Sequence, residues 1–89
     1  MITSDQIRAA RALLRWSSAQ LSESSGVGTS TIKRLEVMEG VPSGHVRTIM
    51  AIKAALESAG VEFIGSPTGN PGVRLKTTGF SKIKALGKD

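Results

Sequence analysis

The chain has 89 residues, 39% of them hydrophobic, with a single histidine and no cysteine. This length predicts one small domain, and the lack of cysteine excludes disulfides, a thiolate zinc site and a cysteine nucleophile, so we expect no metal ion or other cofactor. The net charge of +5 favours a polyanionic partner, although seven Lys/Arg and six Asp/Glu nearly balance in residues 1–64 and the excess lies in residues 65–89.

The first predicted helix begins near Thr3. Thr3 and Gln6 have the spacing of a capping box, in which each side chain binds the backbone N–H of the other residue, and Ile2 and Ile7 have the spacing of a hydrophobic staple. Apolar residues then recur at helical spacing and predict a buried face. That face consists of Ile7, Ala10, Leu13 and Leu14.

Two further short helices are predicted in the next part of the chain. Ser17 and Gln20 form a second capping box, and Gly26 ends the second helix where a left-handed backbone is favoured. The third helix is predicted to start at residue 28 or 29 and to run to about Met38. The apolar anchors of this helix pair are Leu21, Val27, Ile32 and Leu35.

A loop and a fourth helix follow. The segment 39–44 contains two glycines and a proline, which predicts a loop, and a helix is predicted over roughly residues 43–59. Gly60 ends this helix. Its apolar positions are Val46, Ile49, Met50, Ile52 and Leu56.

The chain then changes to the periodicity of β-strands. "VEFIG" (61–65) and "GVRLK" (72–76) alternate in polarity and flank the turn signal "SPTGNP", which predicts a β-hairpin or a strand pair. Because an isolated hairpin is marginally stable, we expect it to pack on the helices or to pair with a second chain. The basic tail that follows is expected to be disordered or to form a short helix. The predicted divisions are therefore residues 1–60, 61–76 and 77–89.

The spacing within residues 17–36 is typical of a helix-turn-helix, in which two short helices meet at a steep angle across a glycine-containing turn. The apolar anchors lock one side of the third helix to the core, so its other side is predicted to be free. That side carries Thr29, Ser30, Lys33, Arg34 and Val37. Such a helix can enter the major groove of DNA, where Arg pairs with guanine and Thr or Ser can hydrogen-bond several bases.

The stretch "WSSAQLSESSGVGTSTIKRLE" resembles the Cro and lambda-type repressor family of helix-turn-helix proteins, often called the XRE family. The resemblance covers about residues 3–60, and the chain departs from the family pattern at Ser18, often Gln, and at Gly28, usually Ser or Thr. The resemblance implies a mainly α fold. The expected architecture is a four-helix lambda-repressor-like domain, here followed by the strand pair. The matching positions are Ser17, Leu21, Gly26, Val27, Ile32 and Glu36.

The resemblance also implies roles for individual residues. The residues implied to read bases or the adjacent backbone are Thr29, Ser30, Lys33 and Arg34. The residues implied to contact phosphates are Ser18, Ser43, His45 and Arg47. Arg11 and Glu36 match a salt bridge between the first helix and the recognition helix, whose role is to orient that helix. Phosphate contacts set register and affinity, whereas base contacts set sequence choice.

These observations predict a sequence-specific transcriptional regulator, a repressor that binds a palindromic operator in double-stranded DNA as a homodimer. Two linked copies read two half-sites and so multiply specificity. We expect a bacterial or phage protein that is cytoplasmic and nucleoid-associated, with no membrane partner, because the sequence shows neither a secretory signal nor a long apolar run. The predicted dimer contacts on the two strands are Val61, Phe63, Val73 and Leu75.

Other interpretations stay open at the level of sequence. An antitoxin-type autoregulator would bind a partner protein through its C-terminal part, and an adaptor would keep the fold without contacting DNA. Lys33 and Arg34 also fit an ordinary solvated helix face. An enzyme is not expected, because the single histidine, His45, has no nucleophile placed beside it and "GVGTST" (26–31) lacks the lysine and preceding strand of a phosphate-binding loop.

Overall fold

A computed structural model describes residues 1–42 and 46–76 of the protein, and in this part four helices precede a two-stranded antiparallel hairpin. The elements in chain order are α1 (Ser4–Leu14), α2 (Ser18–Ser25), α3 (Thr29–Glu36), α4 (Val46–Ser58), β1 (Val61–Ser66) and β2 (Gly69–Leu75). The predicted small, mostly helical architecture with a C-terminal hairpin is confirmed. The predicted start of the fourth helix at Ser43 and the alternatives for the tail at 77–89 lie outside the described residues.

Both predicted capping boxes are present. The Thr3 hydroxyl accepts a hydrogen bond from the Gln6 amide at 3.0 Å, and Gln6 Oε1 accepts one from the Thr3 amide at 2.8 Å. Ser17 and Gln20 repeat the arrangement at 3.1 and 2.8 Å. Each box satisfies backbone donors that a helix start otherwise leaves unpaired, so these short sequence patterns fix where α1 and α2 begin.

Three residues, 26–28, connect α2 to α3. Gly26 has a φ of 78°, which a residue with a side chain adopts only at a cost, and its N–H donates to the Ser22 carbonyl at 2.9 Å to end α2. At the other end, α3 stops at Glu36, earlier than the predicted end near Met38. The Met38 amide bonds the Leu35 carbonyl instead, a tightened final turn that closes the helix.

The hydrophobic core lies where α1 meets the other elements. Helix α1 packs against α3, α4 and both strands, while α2 packs against α3 and α4. Ile2 and Ile7, the predicted staple, both lie in this core, and Trp16 and Val27 pack against it. The buried apolar residues are Ile2, Ile7, Ala10, Leu21, Ile32, Leu35, Ile49, Ile52, Ala55, Leu56 and Val61.

Leu13, predicted on the buried face of α1, is exposed, and so are two of the apolar positions of α4. Leu13, Val46 and Met50 are 41%, 58% and 60% exposed. Leu13 follows Ile7 by six residues, which at 100° per residue places it roughly 120° around the helix from the buried face. The buried face of α4 is set by Ile49 and residues three and seven positions further on, so the adjacent Met50 projects away from the core.

The hairpin packs on the helices. Its register pairs Val61 with Leu75 and Phe63 with Val73, so these four side chains share one face, and that face covers α1 and α4. Val61 is fully buried and the other three are half-buried. The expectation that the hairpin packs on the helices is confirmed, whereas the role of these four residues as dimer contacts stays a prediction.

The turn of the hairpin is shorter than predicted. The six residues 66–71 were expected to form it, but the strands continue through Ser66 and resume at Gly69. A bulge at Gly65, where φ is 77°, makes this possible, since a Cβ at that position would overlap the Asn70 carbonyl oxygen. The sequence pattern indicated a turn but not the bulge that shortens it.

Candidate nucleic-acid interface

Helix α3 has one buried and one exposed side. Ile32 and Leu35 are fully buried, and Glu36 is only 5% exposed. The exposed side consists of Ser30, Lys33, Arg34 and Val37. Their spacing of three, four and seven residues places them on one face of the helix, which we call the α3 face. The helix is thus fixed to the protein on one side and presents a hydroxyl, two cations and an apolar side chain on the other.

The position of α3 is held by an ion pair with α1. Arg11 donates to both carboxylate oxygens of Glu36, from Nε at 2.8 Å and from Nη2 at 2.9 Å. Its remaining Nη1 donates to the Trp16 carbonyl at 2.9 Å. The hydrogen bond and charge of Glu36 raise the pKa of Arg11 above its ordinary value. The pairing of Arg11 with Glu36 expected from the resemblance is therefore present.

A second clamp joins the end of α3 to the start of α1. The Ser4 hydroxyl donates to the Leu35 carbonyl at 2.7 Å, and the Ser4 amide donates to the Gly40 carbonyl at 2.9 Å. These bonds join the C-terminal end of α3 and the loop that follows it to the start of α1. No sequence pattern indicated this role, because Ser4 stands at a helix start where serine is common.

A third buried contact ties the hairpin to α1. Gln6 Nε2 donates to the Gly72 carbonyl at 2.9 Å and approaches the Ile64 carbonyl at 3.4 Å. The same side chain completes the capping box with its Oε1. The sequence identified Gln6 only as a cap, since a contact with residues far along the chain has no local signal.

The cations of the α3 face have no ionic partner among the described residues. The ion pairs within 1–42 and 46–76 are Arg8 with Asp5, Arg11 with Glu36, and Arg74 with Glu62. Lys33 and Arg34 are exposed, and the one acidic residue of α3, Glu36, is already bound by Arg11. The α3 face is therefore a positively charged surface with no neutralising carboxylate from its own helix.

The other residues implied by the resemblance occupy different places. Thr29 and Ser18 are the first residues of α3 and α2, and both are half-buried. Arg47 is exposed in the first turn of α4, whereas Ser43 and His45 lie outside the described residues. Arg15 is exposed at the C-cap of α1, two residues before the N-cap of α2, with a φ of 58°.

The same part of the chain has neither a cluster of metal-ligating side chains nor a membrane-spanning helix. Residues 1–42 and 46–76 contain no group of three or more His, Asp or Glu side chains that could hold a metal ion. No helix found in this part is both long enough and apolar enough to cross a membrane.

Two comparisons with known proteins give no match. No model of a protein family matches the chain. No curated protein matches it either.

Proposed function

We propose that this chain is a sequence-specific transcriptional regulator that binds double-stranded DNA, with α2 and α3 acting as a helix-turn-helix and α3 as the recognition helix. The observation that carries the proposal is the two-sided character of α3. Its buried side is fixed by Ile32, Leu35 and the Arg11–Glu36 pair, while its exposed side presents Lys33 and Arg34 without a carboxylate to neutralise them. A rigid, exposed and cationic helix is what major-groove recognition requires.

The dimensions and side chains of α3 suit this role. Eight helical residues span about 12 Å, and a helix of about 10–12 Å diameter fits the major groove of B-DNA. In that position Arg34 pairs with the O6 and N7 atoms of a guanine, and Ser30 hydrogen-bonds a neighbouring base edge. Thr29 and Lys33 lie one turn apart on the same helix and contact a base or the adjacent backbone.

The affinity comes mainly from phosphates. Ser18 at the start of α2 and Arg47 in the first turn of α4 are the described residues assigned to phosphate contact, and Ser43 and His45 complete the proposed set. Each cation that neutralises a phosphate releases condensed counterions, so binding weakens as salt rises. These contacts fix the register in which α3 meets the bases.

We further propose that the regulator is a homodimeric repressor on a palindromic operator. One short helix reads only a few base pairs, whereas two copies on half-sites about 34 Å apart give the specificity that regulation requires. Because the inner face of the hairpin is covered, the dimer contact is assigned to an exposed apolar patch instead. The patch consists of Met1, Val46 and Met50, of which Met1 and Met50 line one small pocket.

The test is selection of bound sequences from a random double-stranded DNA pool. The wild-type protein is expected to enrich a two-fold symmetric motif with half-sites one helical turn apart. Arg34→Ala should enrich a motif with relaxed choice at one position in each half-site, whereas Arg74→Ala, on the hairpin, should leave the motif unchanged. If the folded wild-type protein enriches no sequence, the proposal is wrong, and a protein-binding adaptor becomes the better interpretation.

A further inference from the structure

A wide, open groove lies between α2 and α4, on surface that the proposed DNA contacts do not use. It encloses about 640 Å³, and alanines of α4 and the indole of Trp16 line it together with serines at the end of α2. We call it the α2–α4 groove. The α4 residues that line it are Ala51, Ala54, Ala55, Ser58 and Ala59. Side chains this small leave room above an apolar surface for larger apolar side chains to pack.

The chain leaves the hairpin at one end of this groove. The Lys76 amide donates a hydrogen bond to the Gly60 carbonyl at 2.7 Å, and Gly60 directly follows Ala59, which lines the groove. The described part of the chain therefore ends at Lys76, beside the C-terminal end of α4. From Ala51 to Ala59 the groove extends about 12 Å along α4, and thirteen residues span about 20 Å even when fully helical. This segment is thus long enough to cover the groove.

The composition of residues 77–89 matches the groove. The sequence "TTGFSKIKALGKD" has Phe80, Ile83 and Leu86 at intervals of three residues, an apolar series in an otherwise polar and basic segment. Three large apolar side chains at this spacing share a side in a helix-like conformation, which suits a shallow apolar surface.

The charges are also complementary. The same segment carries three lysines, at positions 82, 84 and 88, and only one acid. Glu23 is exposed on α2, immediately before Ser24, which lines the groove. Opposite charges at the rim of an apolar contact favour one partner and one orientation over others.

We propose that residues 77–89 dock intramolecularly into the α2–α4 groove, with Phe80, Ile83 and Leu86 packed on the alanines of α4 and on Trp16. The lysines of the segment are then attracted to Glu23 at the rim of the groove. The docked segment braces α2 against α4 from the side away from the core. This inference does not depend on the proposed function, because neither the groove nor the segment contributes a residue to the α3 face.

Trp16 provides the measurement. It is the only tryptophan of the chain, which has no tyrosine, so the fluorescence of the chain reports on the surroundings of this one groove residue. The full-length variant Phe80→Ser/Ile83→Ser/Leu86→Ser is expected to shift the Trp16 emission to longer wavelength and to raise its acrylamide quenching constant. The matched variant Thr77→Ser/Thr78→Ser/Ser81→Thr changes three polar positions of the same segment and should leave both quantities as in the wild type.

A second variant changes the groove rather than the segment. Ala54→Arg places bulk and like charge at an exposed position of the groove, and it should shift and expose Trp16 in the same way while the far-UV circular dichroism stays helical. Identical emission and quenching in the wild type and in both the apolar triple variant and Ala54→Arg would overturn the proposal. A wild-type signal that changes on dilution would also overturn it, because a second copy rather than residues 77–89 would then cover the groove.

Discussion

The guanidinium of Arg11 and the carboxylate of Glu36, 25 positions apart in the chain, form a two-point hydrogen-bonded pair that ties α1 to α3. Two parallel N–H···O bonds fix orientation as well as distance, so the pair sets the rotation of α3 about its own axis. The exposed side of α3 depends on that rotation. The Arg11–Glu36 contact thus connects the interior of the protein to its candidate interface.

Removing Arg11 is expected to destabilise the protein strongly. In Arg11→Met the nearly buried Glu36 carboxylate loses its partner, and the free energy of unfolding should fall by about 3 kcal/mol. The double variant Arg11→Met/Glu36→Leu removes both charges and should be more stable than the single variant. Urea denaturation followed by circular dichroism gives the free energy of unfolding of Arg11→Met, Glu36→Leu and the double variant. A loss in the double variant equal to the sum of the losses in the two single variants would show that the residues are not coupled.

The pH dependence of this pair follows from the raised pKa of Arg11. A cation whose pKa is higher in the folded protein stabilises the fold at any pH below its unfolded value and loses that contribution only as pH rises beyond it. The pKa of arginine in an unfolded chain lies far above the physiological range. We therefore expect the Arg11 side of the pair to add no slope to stability between pH 6 and pH 9, as urea titrations at those two values can check.

Gln6 and Gln20 offer a matched comparison, because both complete capping boxes at the same helical position. Gln6 also donates to the Gly72 carbonyl, whereas Gln20 is exposed. Gln6→Ala should lower the free energy of unfolding by about 2 kcal/mol, since it leaves buried carbonyl and amide groups unpaired. Gln20→Ala should cost about 0.5–1 kcal/mol, the value of a cap alone. Equal losses in thermal or urea unfolding would contradict the contact between Gln6 and the hairpin.

Arg34 is expected to carry base recognition. Arg34→Ala should weaken binding to the selected operator by about 1–3 kcal/mol while leaving affinity for random DNA much less affected. Arg74→Ala serves as the control, because Arg74 is an exposed arginine on the hairpin that pairs with Glu62. Fluorescence anisotropy with operator and random duplexes gives both affinities. The same loss on both duplexes for Arg34→Ala would show that Arg34 contacts only the backbone.

Salt provides an independent measure of the phosphate contacts. The logarithm of the operator affinity should fall linearly with the logarithm of salt concentration, and Arg47→Ala should reduce the slope by about 1 if Arg47 neutralises one phosphate. Lys53→Ala, further along α4 and half-buried, should leave the slope unchanged. If the salt dependence of Arg47→Ala has the same slope as that of the wild type, Arg47 does not neutralise a phosphate.

Self-association is expected to depend on the exposed apolar patch of Met1, Val46 and Met50. Met50→Lys introduces a charge into the proposed dimer contact, and it should shift the wild-type dimer to monomer in a sedimentation dilution series. Ile64→Lys, an exposed apolar position on the outer face of the hairpin, is the matched control and should leave the dimer intact. A wild-type protein that is monomeric at every concentration, with and without DNA, would contradict the homodimer.

The local elements of the fold were predicted well, because their signals lie within a few residues. The capping boxes at Thr3 and Ser17 gave the starts of α1 and α2, and Gly26 gave the end of α2. The errors occur where burial depends on distant elements. Met50 is apolar and lies next to the buried Ile49, and nothing in the sequence of α4 says which of the two faces the core.

The exposed side of the candidate interface could also be predicted from the sequence, whereas the contacts that hold it in place could not. The spacing around Ile32 and Leu35 was enough to predict which side of α3 is free, and Ser30, Lys33 and Arg34 are exposed as expected. The hydrogen bonds of Ser4 and Gln6 were not foreseen. Each joins residues more than thirty positions apart, and no pattern of neighbouring residues encodes such a contact.

The sequence by itself thus determined the order of helices and strands, the short connection between α2 and α3 and the pair Arg11 and Glu36. These follow from capping, periodicity and turn chemistry, together with a family resemblance. The tertiary structure alone decided how the hairpin is used. Its apolar face, Val61 with Phe63, Val73 and Leu75, needed a surface to cover it, and either this chain or another could have supplied one. Helix α4 is connected to the hairpin by two residues and α1 belongs to the same chain, so covering that face within one molecule costs less entropy than recruiting a second.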